Sequence, residues 1–361
     1  MSKIISIDTA VPAYRHTQED ILSFMQRVYA GNAEDNRKMR FLYRQSGINS
    51  RYSVIRDYSR SLPEWKFYPR SENLEPFPSL EQRMMMYNRH AAPLSVDAIR
   101  KCIDGRIPSS GITHLITVSC TGMSAPGLDL QIMDMMGMAN NTYRTSINFM
   151  GCYAAIHALK IADSICKSEA GARVLIVCTE LCTLHFQREN TMDNIGSSML
   201  FADGSAAALV TGDDFPAPGL KLQHFYSEIL PKGKKDMAWE LSSSGFLMTL
   251  SGYIPELIEE DFNQLIDNAL RIKGMSREDI AYWCIHPGGK RILEAVRKSL
   301  QLEEEALMAS RFVLKEYGNM SSPTILFVLK RMMQYVEREK PILAAAFGPG
   351  LTMETFMTEL V

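Results

Sequence analysis

The 361-residue chain uses one spacing twice. In the first half an apolar run ends at Cys120, Cys152 follows 32 residues later, and another apolar run opens near Val174, 22 residues further on. In the second half a run ends at His286, Asn319 follows 33 residues later, and the next run opens near Leu343 after 24 more. The local text agrees, with G-C-Y-A-A-I-H-A-L-K around Cys152 standing opposite G-N-M-S-S-P-T-I-L-F-V-L-K around Asn319. Structural copies bury their apolar faces against each other. Such a duplication carries Cys152, His286 and Asn319 to element ends that face one pseudo-twofold axis. The turn-rich D-D-F-P-A-P-G between Gly212 and Gly219 divides the chain into halves 1–215 and 216–361.

Each half reads as α/β. Continuous apolar runs of strand length lie at 113–120, 173–180, 204–212, 280–287 and 342–350, and the N-terminus reads as a further short strand. Runs without polar alternation belong to strands covered on both faces. Helical periodicity falls between them, over Thr17–Tyr29, Tyr153–Cys166, Ile254–Ile272 and Ser321–Glu337. With 46% hydrophobic and 22% charged residues the chain is neither disordered nor a coiled coil. A net charge of -2 gives no basis for a nucleic-acid partner, and apolar stretches stay short of a membrane span. Seven cysteines are scattered without a disulfide framework, and no signal-peptide pattern opens the chain, so a cytoplasmic location is expected. Cys178 and Cys182 form the one tight pair, with no second pair to complete a zinc tetrahedron; no metal is expected.

Three residues are placed for chemistry. Cys152 follows Gly151 at a strand-to-helix turn, where unpaired N–H groups and the helix dipole favour a thiolate. His286, in C-I-H-P-G-G-K, ends a strand and precedes a tight turn; its imidazole can take the thiol proton or donate to an oxyanion. Asn319 is either the N-cap of the next helix or an amide donor to a developing enolate. A Cys, His, Asn order also fits papain-like proteases. The flank M-G-C-Y-A and the mid-chain nucleophile argue against that rival, and three polar residues at matching element ends argue against a simple binding module.

The motifs G-C-Y-A-A, V-C-T-E, L-F-A-D-G-S-A-A-A-L, H-P-G-G, Y-G-N-M-S-S and F-G-P-G-L-T-M-E-T, in this order, resemble the type III polyketide synthases, the chalcone synthase-like branch of the thiolase superfamily. The resemblance implies a thiolase-like αβαβα fold, a homodimer, and CoA thioesters as substrates with no metal or organic cofactor. It implies Cys152 as the acyl-accepting nucleophile and His286 with Asn319 as the pair that decarboxylates malonyl-CoA. Phe201 is then a gate between CoA tunnel and cavity, with Phe347, Gly348, Pro349 and Gly350 as a cavity-shaping loop. The expected reaction is iterative decarboxylative Claisen condensation followed by cyclisation. The alternative is a single condensation of the 3-oxoacyl-[acyl-carrier-protein] synthase III kind.

Within the basic stretch 37–52, Lys38 matches a CoA-contacting lysine of the family, and Arg40 or Arg44 stands in for a basic position occupied here by Phe41; Arg51 belongs to the same stretch. Plant chalcone synthases have threonines where this chain has Cys120 (beside Thr121), Cys182 and His185, and phenylalanine in place of Met248. Ser321 matches a family serine near the nucleophile. Ala125 replaces a methionine that crosses the plant dimer interface. These departures point away from chalcone and toward pyrone-, resorcinol- or naphthol-type products.

Overall fold

A computed structural model describes residues 1–29, 31–71 and 74–361. A mixed nine-stranded sheet runs through it. Its strands are β1 (Ser2–Ala10), β2 (His114–Ser119), β3 (Tyr143–Asn148), β4 (Arg173–Leu181), β5 (Asp203–Gly212), β6 (Leu220–Ile229), β7 (Tyr282–Ile285), β8 (Ile342–Gly348) and β9 (Thr352–Leu360). They lie in the order β7-β8-β9-β6-β1-β5-β4-β2-β3. The halves meet where β1 and β6 pair antiparallel from Ser2↔Leu222 to Ile4↔Leu220. Outward from that seam the two sides read β1-β5-β4-β2 and β6-β9-β8-β7. The outermost pair of each series is parallel and the other pairs are antiparallel, on both sides. This is the duplication implied by the spacing. β3 adds a further parallel strand beside β2 and has no counterpart among the described residues of the second half.

Both faces of β2, β4, β5 and β8 are buried, which is why their runs are continuous rather than alternating. On β4, Val174, Ile176 and Cys178 enter one core while Leu175, Val177 and Leu181 enter another. On β8, Ile342, Ala344 and Ala346 share the first core, and Leu343, Ala345 and Phe347 face a third. The shared core holds the helices Ala154–Ser168 and Thr324–Met332, which follow Cys152 and Asn319. Helices Gln18–Tyr29 and Leu80–Ile103 cover one outer face, and Ile254–Arg271 and Lys290–Ser299 the other. The layers therefore run αβαβα, a thiolase-like fold.

Local chemistry sets the element ends. Thr17 and Asp20 cap the first helix reciprocally, Asp20 N donating to Thr17 Oγ1 at 3.1 Å and Thr17 N to Asp20 Oδ2 at 3.0 Å. The helix expected from Ser321 starts at Thr324 instead, because Ser321 is held at φ 58° and the chain is still turning there. Periodicity did not show the hairpin Met237–Ser242/Gly245–Leu250, or the pairing of Tyr14–Thr17 with Ser50–Ser53. Among the described residues no helix is long and apolar enough to cross a membrane.

Candidate active site

Cys152 lies in a single 3-10 turn, Gly151–Tyr153, that leads into the helix Ala154–Ser168. Gly151 has φ 79°, and a Cβ there would stand 2.2 Å from Pro349 Cδ. The Cys152 turn and the F-G-P-G loop are thus interlocked, a glycine on one side and a proline on the other. Gly348 completes the fit, since its Cβ would meet Tyr153 Cδ1 at 2.5 Å. Gly151→Ala combines a left-handed backbone with a steric clash and is expected to cost about 3 kcal/mol. A urea midpoint unchanged from wild type would contradict that interlock.

His286 follows β7, its N–H donating to Ala345 O at 2.9 Å and so extending the β7–β8 pairing by one residue. The side chain is 2% exposed, yet neither Nδ1 nor Nε2 has a hydrogen-bond partner among the described residues. Buried polar atoms are seldom left so; both nitrogens remain free for a ligand. Asn319 is fixed from two directions. Its Nδ2 donates to Gly288 O at 3.2 Å, in the turn after His286, and its Oδ1 accepts from Ser321 N at 2.8 Å. Pro323, not Asn319, precedes the next helix, and no side chain caps it. The amide is therefore committed to the site and not to capping.

All three side chains line one cavity of about 570 Å³. Its wall also includes the expected Phe201, Ser321, Phe347 and Pro349, whereas Gly348 and Gly350 are not on it and Gly350 (φ 74°) turns the loop behind. Cys120, Cys182 and Met248 are on the wall as well. Cys120 Sγ accepts from Gly151 N at 3.1 Å, tying this thiol to the Cys152 turn. His185 Nε2 donates to Thr121 O at 2.7 Å and its Nδ1 accepts from Phe246 N at 3.2 Å, so the ring stacked on Phe246 at 4.2 Å is held neutral. Trp239, which the sequence reading passed over, donates Nε1–H to Cys120 O at 2.7 Å and completes this aromatic side of the wall.

Lys38, Arg40 and Arg44 are exposed, and none is on the cavity wall; Lys38 pairs with Glu34 at 2.8 Å. The cations that do line the cavity are Lys290, Arg291 and the buried Arg51; exposed Phe41 is also in the lining. Lys290 and Arg291 directly follow H-P-G-G, a signal that was readable in the sequence. Glu180, the last residue of V-C-T-E, was also passed over. Its carboxylate accepts from Cys120 N and Thr121 Oγ1, each at 2.8 Å, and from Ser322 Oγ at 2.7 Å, and burial pushes it up to about 7.

Burial pushes the Cys152 thiol up to about 11, opposed by hydrogen bonds from Ser321 and Asn319. Burial also brings the His286 imidazole down to about 3. Both effects favour the neutral pair, so burial outweighs the helix N-terminus that was expected to hold a thiolate. Ser321 stabilises the anionic sulfur, and its loss removes one of the downward pulls. Ser321→Ala should therefore move the pH profile of Cys152 alkylation by iodoacetamide to higher pH. A profile that stays in place or moves down would show that Ser321 does not bond the thiolate.

Comparison with known proteins points the same way as the geometry. Residues 1–214 match the family model for the N-terminal domain of chalcone and stilbene synthases, and residues 221–361 match that for the C-terminal domain. The chain is 30% identical to type III polyketide synthase A of Arabidopsis thaliana, over 97% of this chain and 91% of that protein. It is 30% identical to a putative chalcone synthase of Bacillus subtilis, over 99% and 98% of the two chains. The crystal structure of PKS-I from the brown alga Ectocarpus siliculosus superposes with a TM-score of 0.92 at 28% identity, covering 100% of this chain and 98% of that one.

Proposed function

The chain belongs to the chalcone and stilbene synthase family of type III polyketide synthases, acyltransferases that use CoA thioesters, and from that membership we propose how its own residues divide the reaction. Cys152 Sγ attacks the starter thioester and becomes acylated, while its proton passes to His286 and then to the departing CoA sulfur. Malonyl-CoA next binds with its thioester oxygen against a ring N–H of His286 and the Asn319 Nδ2 N–H that is not bonded to Gly288 O. Loss of CO2 leaves an enolate on that oxygen, stabilised by the same two donors. The enolate carbon attacks the acyl group on Cys152, expelling the thiolate, and the lengthened chain reloads for another round.

The observation that carries this reading is the buried imidazole with two unpartnered nitrogens on the same wall as a cysteine. An imidazole held neutral down to about pH 3 is a donor throughout the working range, as enolate stabilisation requires. A largely apolar wall limits the water around the carbanion. No metal or organic cofactor enters these steps, because the thioester supplies the activation.

The wall formed by Cys120, Cys182, His185 and Met248 supports cyclisation to a pyrone, resorcinol or naphthol. The acting form is a homodimer, for which exposed Met123 and Met135 supply apolar surface; sedimentation at the 40.7 kDa chain mass would refute it. Purified enzyme given malonyl-CoA and a panel of acyl-CoA starters, without carrier protein, should release products extended by several acetate units. Products limited to one condensation, or a strict need for carrier protein, would overturn the reading.

A further inference from the structure

Phe201 and Asn319 meet main chain to main chain, as an isolated parallel bridge. The helix Met192–Leu200 ends at this bridge, and its last carbonyls need donors. Leu200 O accepts from Asn319 N at 2.9 Å, and Ala202 N returns a bond to Asn319 O at 2.8 Å. Met199 O accepts from Gln18 Nε2 at 3.0 Å, and Phe201 O from Arg51 Nη1 at 2.6 Å. Arg51 Nε donates to Gln18 Oε1 at 3.1 Å, so the two side chains form one clamp across the helix end.

Arg51 is costly to keep where it is. The side chain is 2% exposed, and Nη2 has no partner among the described residues. Asp203 lies close enough to act on its charge, but its Oδ1 accepts from Thr183 N and its Oδ2 from Val54 N and Thr183 Oγ1. No described carboxylate pairs with the guanidinium, which instead faces the negative end of the helix. Its stem lies against Gly318 (φ 70°), where a Cβ would come within 2.7 Å of Arg51 Cδ and 3.1 Å of Leu200 O. The chain thus clears a side chain next to Asn319 to let this cation through.

We infer that Arg51, with Gln18, is a positioning residue for decarboxylation: the clamp sets Phe201 against Asn319 and holds the Asn319 amide at the cavity wall. This rests on Asn319 being a donor to the enolate. Arg51→Met in the full chain should lower kcat for CO2 release from malonyl-CoA about 10- to 100-fold, with KM changed by less than about threefold. The limiting rate of Cys152 alkylation by iodoacetamide, reached at high pH once the thiol is fully ionised, should stay within about twofold of wild type; only its midpoint moves, because Asn319 bonds the thiolate. A generally damaged fold would lower both. Arg51→Lys, which keeps a cation at the helix end, should recover part of the loss.

Asn319→Ala is measured alongside. If it decarboxylates normally, the role of Asn319 is wrong and the clamp loses its purpose. If Asn319→Ala is impaired while soluble Arg51→Met is not, the inference about Arg51 fails alone. Should Arg51→Met not fold, Gln18→Ala decides: a kcat equal to wild type overturns the clamp, and a smaller loss at unchanged KM supports it.

Discussion

His286→Ala slows CO2 release from malonyl-CoA by about 100- to 1,000-fold, the loss expected when one preorganised donor to a developing oxyanion is removed from an enclosed site. The effect is large because the imidazole is buried and no group among the described residues competes for its nitrogens. Water that enters the vacated space reorganises with the charge instead of being set in advance. Labelled malonyl-CoA and trapped CO2 give the rate directly. Stability should become less sensitive to acid: the folded protein holds this ring neutral well below the usual imidazole value, whereas the unfolded chain takes up a proton below about 6.5. Wild-type stability carried by His286 is therefore present above that pH and lost as the pH falls toward 3, and His286→Ala removes this one acid-labile contribution. A variant that decarboxylates at the wild-type rate would place the enolate elsewhere in the cavity.

Cys152→Gln separates the two half-reactions. Product formation should fall by at least about 10,000-fold, because no covalent acyl carrier remains. CO2 release should stay within about tenfold of wild type, because His286 and Asn319 are untouched. The amide of glutamine is uncharged, as an acylated sulfur is, so the decarboxylating pair meets a neutral neighbour. Loss of CO2 release in a folded variant would show that decarboxylation depends on the sulfur, against the division of labour proposed here.

Much of this was legible before any coordinates. The spacing from Cys120 to Cys152 to Val174, matched by His286 to Asn319 to Leu343, announced the duplicated sheet, because strands buried on both faces leave continuous apolar runs. Gly151 before Cys152 marked the turn, and the reason became visible only as the space occupied by Pro349. Cations were harder to read. A basic stretch at 37–52 says that charge is available, not which way it points. Lys38, Arg40 and Arg44 turn to solvent, whereas Arg51 turns inward to close a helix end. Lys290 and Arg291 reach the cavity because they follow the turn that anchors Asn319 through Gly288 O. Glu180 escaped notice because its partners, Cys120 and Thr121 on one side and Ser322 on the other, come from two stretches of chain far from it in sequence. The ionisation of Cys152 was likewise hidden, since the helix N-terminus is local in sequence and the burial that outweighs it is not.

Three thiols, Cys120, Cys152 and Cys182, share the cavity wall, and one of them is held to carry the growing chain. The direct measurement is to incubate the enzyme with an acyl-CoA starter in the absence of malonyl-CoA, quench, digest and locate the acyl mass by peptide sequencing. The expected result is one acyl group per chain, on the peptide containing Cys152. Acyl mass on Cys120 or Cys182, or none on any cysteine while products still form, would contradict it.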